Sequence, residues 1–253
     1  MSTAHSLPRL AIVSALLLAS WAAQASSNTP HWDYKGQHDP AHWAHLDASF
    51  EGCSSGQRQS PIDIKATEKV ALPALEFGYS PAKASVVNNG HTIQVNLPAG
   101  NHLTVGDRRY ELLQFHFHTP SEEALDGKRK PLVAHFVHRS AEGQLGVVAV
   151  LFDFGKANET YAPVFAHLPA KAGETLTADD LTLDLAALMP TGKGYYSFEG
   201  SLTTPPCSEG VNWMVLKQPV QLSAQQIKRF RQMFSFNARP IQPLNGRVVK
   251  ESL

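Results

Sequence analysis

Gln114-Phe115-His116-Phe117-His118-Thr119-Pro120-Ser121-Glu122 is the stretch on which the reading of the fold turns. Phe115 and Phe117 alternate with Gln114, His116 and His118, so in an extended chain the two phenyl rings share one face and the polar side chains the other. Both imidazoles then point the same way. Their Cβ atoms sit about 7 Å apart on the pleat, a gap that two ring nitrogens can close on one zinc ion at about 2.0–2.1 Å each. Taken alone, the H-x-H pair is weak evidence, and two histidines on a half-solvated strand face are the more ordinary reading.

A second alternating strand follows, Leu132-Val133-Ala134-His135-Phe136-Val137-His138, joined to the first through Asp126-Gly127-Lys128, which has turn chemistry. Antiparallel pairing brings His135 beside His116 and His118. Three neutral imidazoles leave the fourth tetrahedral position free for water, the arrangement of a catalytic zinc and not of a structural one.

Elsewhere from 59 to about 152 the pattern is one of short strands with period-two alternation and Gly, Pro or Asn punctuation: 84–87, 92–97, 110–117, 133–138 and 145–152. Two helices are expected later, over 159–167 and over 224–234, the second behind Ser223, where Ser-x-x-Gln makes a capping box. Ile227, Phe230, Met233 and Phe234 form its core-facing stripe. Residues 26–50 look irregular and aromatic, and such a segment packs over an opening in the main body. Its histidines, His31, His38, His42 and His45, are unevenly spaced, as surface or packing residues are. No repeat or linker divides the chain, so one β-rich domain follows.

Of the 253 residues, 43% are hydrophobic and 17% charged, which suits a globular protein with a substantial core. Twenty-two basic and twenty-two acidic residues cancel without a dense basic run, so neither nucleic acid nor an acidic membrane surface is indicated as partner. Residues 1–25 read as a signal peptide. Arg9 precedes an apolar run from Leu10 that ends at Ala23-Gln24-Ala25, and the run is shorter than the roughly 20 residues a spanning helix needs. The mature domain is then 26–253, exported to the periplasm or beyond, with no stable membrane span.

The sequence resembles the α-class carbonic anhydrases, above all their bacterial secreted members, from about His31 to Leu244. The resemblance rests on QSPIDI at 59–64, NNGH at 88–91, QFHFHTPSE at 114–122, AHFVH at 134–138, YSFEGSLTTPPC at 196–207 and NARPIQPLNGR at 237–247. It implies a mainly β (α+β) single domain on a large, twisted, mostly antiparallel central sheet with short peripheral helices. It also implies reversible hydration of carbon dioxide to bicarbonate and a proton, by attack of a hydroxide held on Zn²⁺, with some esterase activity besides. His116, His118 and His135 are the implied metal ligands, Glu122 and Thr203 the pair that orients the nucleophile, and His91 the proton shuttle. Val137, Val147, Leu202, Thr204 and Trp213 match the substrate pocket, and Tyr34, Asn89, Gln94 and Gln114 the polar side of the cavity, where Gln94 replaces the more usual asparagine. Sulfonamides and anions are the implied inhibitors, a homodimer fits the family, and Cys53 and Cys207 match its disulfide, which export permits.

Behind the metal ligands the resemblance has Gln114 support His116 and the main chain near Asn237 support His118. At the third ligand the sequence departs. The family's usual glutamate two residues before the third histidine is Val133 here, the usual histidine after the orienting glutamate is Glu123, and a tyrosine that joins them is Phe198. Valine cannot accept the ring N–H of His135, and an unpaired buried donor costs about 1–3 kcal/mol. Glu123 is therefore expected to reach across in place of the missing carboxylate. Two other classes of function are weaker: a silent binding module, since all three histidines are present, and a dedicated zinc hydrolase, since no H-E-x-x-H supplies a separate base.

Overall fold

Alternation of apolar and polar residues along two long strands, Arg108–His118 and Leu132–Ser140, builds the centre of the molecule. The structure is a computed structural model that describes residue 1, residues 30–177 and residues 181–253; the expected signal peptide lies outside the described residues. The two strands pair antiparallel in a thirteen-stranded sheet, Leu145–Phe154 follows on the far side of Leu132–Ser140, and Ile93–Asn96 lies beyond Arg108–His118. Glu209–Leu216 joins Leu145–Phe154 in parallel, and Tyr195–Ser201 then pairs antiparallel with it. The sheet is thus mixed: mostly antiparallel, with parallel joins where Leu145–Phe154 meets Glu209–Leu216 and Val220–Leu222, and where Val249–Ser252 meets Thr67–Val70.

The sheet separates two apolar clusters. Phe115, Phe117, Ala134, Phe136, Val148 and Val150 face one cluster, which the helix Ala224–Met233 covers with Ile227 and Phe230. Val133, Val147, Ala149, Leu151 and Trp213 face the other. Tyr110 and Leu112 are buried as well as Phe115 and Phe117, although even and odd residues of one regular strand point oppositely. A register shift between Val137 and His138 accounts for it: Val137 pairs with Gln114 and His138 with Leu112, so Leu113 is an extra residue. The bulge inverts the parity of the strand.

Local chemistry sets the element ends. Asp126 and Gly127, both at positive φ, form the two-residue turn between the short strands Ala124–Leu125 and Lys128–Arg129. Ser223 caps the helix Ala224–Met233: its hydroxyl accepts from Gln226 N–H at 3.2 Å, and the Gln226 side chain accepts from Ser223 N–H at 3.0 Å. The expected helix over 159–167 is shorter, Ala162–Ala166, because the Asn158 side chain takes the N–H groups of Thr160 and Tyr161 into a turn of its own.

The amino-terminal segment packs as a small third cluster of Tyr34, Trp43, Phe50 and the disulfide Cys53–Cys207. Trp43 Nε1–H donates to the carbonyls of both Asp33 and His38 and closes the loop between them. The four histidines of this segment are exposed, and His42 pairs with Asp39 at 2.7 Å.

On the other side of the bulge His138 is fully buried; its Nδ1–H donates to Gly146 O at 3.2 Å and its Nε2 accepts the Tyr79 hydroxyl at 2.6 Å. Burial holds its pKa down to about 4. An unfolded imidazole titrates near 6.5, so the unfolded chain binds the extra proton first as pH falls. Stability from this neutral ring is complete above pH 6.5 and is lost down to about pH 4, by roughly 3 kcal/mol at one pKa unit per 1.36 kcal/mol. Urea unfolding of the wild type and of His138→Asn is expected to show a stability difference that shrinks by about that amount between pH 7 and pH 4.

Candidate metal centre and its cavity

His135 stands directly opposite His116 in the strand pair, and His118 stands opposite Val133, two residues away on the same face. The ring centroids lie 5.5 Å apart for His116 and His135, 5.0 Å for His116 and His118, and 4.8 Å for His118 and His135. One ring nitrogen of each converges with the others, all within 4.8 Å of one another.

The opposite nitrogens are all engaged. His116 Nδ1–H donates to Gln114 Oε1 at 2.9 Å, His118 Nδ1–H to the Asn237 carbonyl at 2.7 Å, and His135 Nε2–H to Glu123 Oε1 at 2.9 Å. These bonds select the tautomers and leave Nε2 of His116, Nε2 of His118 and Nδ1 of His135 as lone pairs facing one point. Among the described residues His118 Nε2 is buried without any hydrogen-bond partner, and so is Glu122 Oε2, 3.6 Å from it. Three neutral imidazole lone pairs with a carboxylate oxygen close by form a donor set that suits a divalent cation such as zinc.

At His116 and His118 the electrostatics favour the deprotonated ring; at His135 they do not. Burial, and then the neighbouring rings of His118 and His135, push His116 well below its usual range. Burial lowers His118 as well, against the pull of Glu122. Burial also acts downward on His135, but the charge and hydrogen bond of Glu123, with Glu122 beyond, outweigh it and leave that ring raised. Burial acts upward on Glu123, and the facing His135 more than offsets it, so its carboxyl lies below the usual range.

The rings open on a cavity of about 180 Å³ lined by His116 and His118 but not by His135, which is 1% exposed and stands edge-on to Trp213 at 4.9 Å. Val137, Leu202 and Thr204 line the cavity. Val147 and Trp213 are 2% exposed and form the apolar layer behind Val137 and Leu202. Tyr34, Asn89, Gln94 and Gln114 line the cavity as well, and Gln94 donates to Asn96 at 2.7 Å. His91 is half-buried in the cavity lining, and its ring stacks on Trp32 at 3.6 Å and 6°. Burial lowers its pKa, opposed by Asp33. Trp32 and Thr92 also line the cavity and were not among the expected residues; the aromatic composition of 26–50 was the available signal for Trp32, but its contact with His91 bridges 59 positions.

Glu122 is fully buried, and its Oε1 accepts from Arg239 N–H at 2.7 Å. Its Oε2 carries no hydrogen bond, so the expected Glu122–Thr203 hydrogen bond is not formed in this structure. Thr203 is buried at the base of a loop tied by Leu202 N–H to Ser208 O and by Cys207 N–H to Thr204 O, and the Cys53–Cys207 disulfide anchors that loop. The Arg239 guanidinium, 1% exposed, bonds Gln59 Oε1, Ser60 O and Cys53 O, which joins the disulfide region to the backbone that holds Glu122.

Fold and site together define a β-sheet enzyme with a buried three-imidazole centre under a half-apolar cavity. Over residues 38–253 the sequence matches the eukaryotic-type carbonic anhydrase family. The chain is 45% identical to a carbonic anhydrase of Neisseria gonorrhoeae across 249 residues, 98% of each chain. Among solved structures it is similar to the α-carbonic anhydrase of Photobacterium profundum, with a TM-score of 0.83 and 47% identity over 87% of this chain and 100% of that one. It is similar also to the Thermovibrio ammonificans enzyme in complex with the inhibitor sulfanilamide, with a TM-score of 0.84 and 42% identity over 87% and 99%. The chain belongs to the α-carbonic anhydrase family, whose activity is carbon dioxide hydration.

Asn237 holds this centre from behind. Its carbonyl accepts from His118, its Oδ1 accepts from Thr119 N–H at 2.7 Å, and its Nδ2 donates to Phe117 O at 2.9 Å and His91 O at 3.0 Å. Asn237→Ala leaves those side-chain partners unpaired in a buried place, so chemical denaturation is expected to report a loss of at least about 1–3 kcal/mol. Asn237→Asp keeps the acceptor for Thr119 but turns a carboxylate oxygen toward the carbonyls of Phe117 and His91, so it is expected to lose at least as much.

Proposed function

We propose that this chain is a zinc-dependent enzyme that converts carbon dioxide and water to bicarbonate and a proton, reversibly, with His116, His118 and His135 holding the metal. The observation that carries the reading is the convergence of three imidazole lone pairs beside a cavity whose lining includes Val137 and Leu202. When bound there, zinc acts as a Lewis acid that lowers the pKa of its water to about 7 and so supplies hydroxide at neutral pH.

The residues of the chain do the rest. Val137 and Leu202, backed by Val147 and Trp213, hold the apolar substrate without competing hydrogen bonds, and Thr204 borders them. Thr203 and Glu122 orient the attacking water: a carboxylate only accepts, so a threonine that donates to it has its lone pairs left for the water. Tyr34, Asn89, Gln94 and Gln114 hold solvent on the polar side, through which the proton leaves. His91 takes it up there: an imidazole passes protons both ways near neutral pH, and the burial that lowers its pKa favours release of the proton again. The same centre hydrolyses activated esters slowly, and aryl sulfonamides and small anions inhibit it. Residues 1–25 direct export, 26–253 form the enzyme, and the disulfide Cys53–Cys207 belongs to an oxidising compartment such as the periplasm.

Stopped-flow hydration of dissolved carbon dioxide, with and without a zinc chelator and with a sulfonamide, tests the whole reading: activity that survives both reagents would refute it. Val137→Tyr fills the apolar side and is expected to abolish hydration while zinc content stays near one per chain by atomic absorption. His91→Ala is expected to lower turnover by about tenfold or more in dilute buffer, and added imidazole is expected to restore it; unchanged turnover would remove His91 from the proton path.

A further inference from the structure

Glu122 and Glu123 are neighbours in one turn, both fully buried, and their carboxylates do different things. Glu122 Oε1 is taken by Arg239 N–H, whereas Glu123 Oε1 lies 2.9 Å from His135 Nε2. Nothing on the strand of His135 itself can accept that N–H. The residue two positions before it on the same face is Val133, wholly buried in the apolar cluster with Phe198, whose ring stacks on Trp213 at 6.1 Å and 3°. The acceptor therefore has to come from outside the ligand strands.

The turn is built to deliver it. Ser121 N–H donates to Lys130 O at 2.8 Å, Lys130 N–H donates to Ser121 Oγ at 2.8 Å, and Ser121 Oγ–H donates to Glu123 O at 2.7 Å. On the other side Ala124 N–H donates to Ile62 O at 3.2 Å, and Ala124 pairs with Asp63. The backbone of Glu123 is clamped on both sides, and its side chain is aimed inward at a ring 12 positions away.

We propose that Glu123 is the positioning residue of the metal centre's third ligand: from the turn, and not from the strand, it holds His135 with Nε2 protonated so that Nδ1 is presented to zinc. The assignment rests on the zinc reading given above. A metal-ligating histidine whose outer partner is removed typically loses 10–100-fold in metal affinity.

The test compares wild type, Glu123→Ala and the double variant Glu123→Ala/Val133→Glu, which returns a carboxylate to the face of His135. Two readouts are taken: the zinc dissociation constant by competition with a chelator of known affinity, and the ¹⁵N shifts of the His135 ring in the zinc-free protein. Glu123→Ala is expected to weaken zinc binding by about 10–100-fold and to replace the single Nε2–H tautomer by a mixture; a merely structural role would leave the tautomer alone. The double variant is expected to regain both. Affinity within about threefold of wild type with an unchanged tautomer in Glu123→Ala overturns the assignment. Should Glu123→Ala fail to fold, the double variant decides, and a folded double variant with weakened zinc and mixed tautomers overturns it too. Both readouts are independent of turnover: a wild type that binds zinc but hydrates no carbon dioxide would refute the proposed activity and leave this assignment standing.

Discussion

A neutral imidazole has one nitrogen that donates and one that accepts, and everything at this centre depends on which is which. For three buried rings to point lone pairs at one place, three N–H groups must be satisfied elsewhere, because a buried donor left unpaired is costly. The chain meets that demand three different ways. Gln114 serves His116 from its own strand face, the Asn237 carbonyl reaches His118 across 119 positions, and Glu123 reaches His135 from a turn.

The sheet supplies the second constraint, which is parity. His116, His118, His135 and Val137 share a face because alternation is strict over Gln114–His118 and Val133–Val137 and because His116 pairs directly with His135. The extra residue at Leu113 comes just beyond that stretch. Without it, Tyr110 and Leu112 would turn away from the side that buries Phe115 and Phe117. The bulge thus lets one long strand serve two purposes, a face of converging histidines at one end and a continuous core beneath.

Charge closes the account of the site. Two buried carboxylates stand beside three imidazoles, and Glu122 Oε2 lies 3.6 Å from His118 and 3.9 Å from His135. Such a place attracts a cation, and the burial that lowers His116 and His118 keeps a proton from taking its place on those rings. The buried Arg239 guanidinium meets neutral oxygens of Gln59, Ser60 and Cys53 and leaves Glu122 only a backbone N–H, so it does not neutralise that carboxylate by direct pairing.

Alternation placed His116 and His118 on one face, and antiparallel pairing of the next alternating stretch brought His135 beside them, because side-chain direction in a strand follows from residue parity. The substitutions at Val133, Glu123 and Phe198 were legible as a coupled set only against the pattern of the family the sequence resembles: they change what can accept or donate a hydrogen bond, and that chemistry is local to a residue type. The parallel join of Leu145–Phe154 to Glu209–Leu216, the stacking of Trp32 on His91, the bulge at Leu113 and the unpartnered oxygen of Glu122 were decided only by the tertiary structure. Each of these depends on segments far apart in the chain meeting in a particular register, and no residue carries the identity of a distant neighbour in its own chemistry.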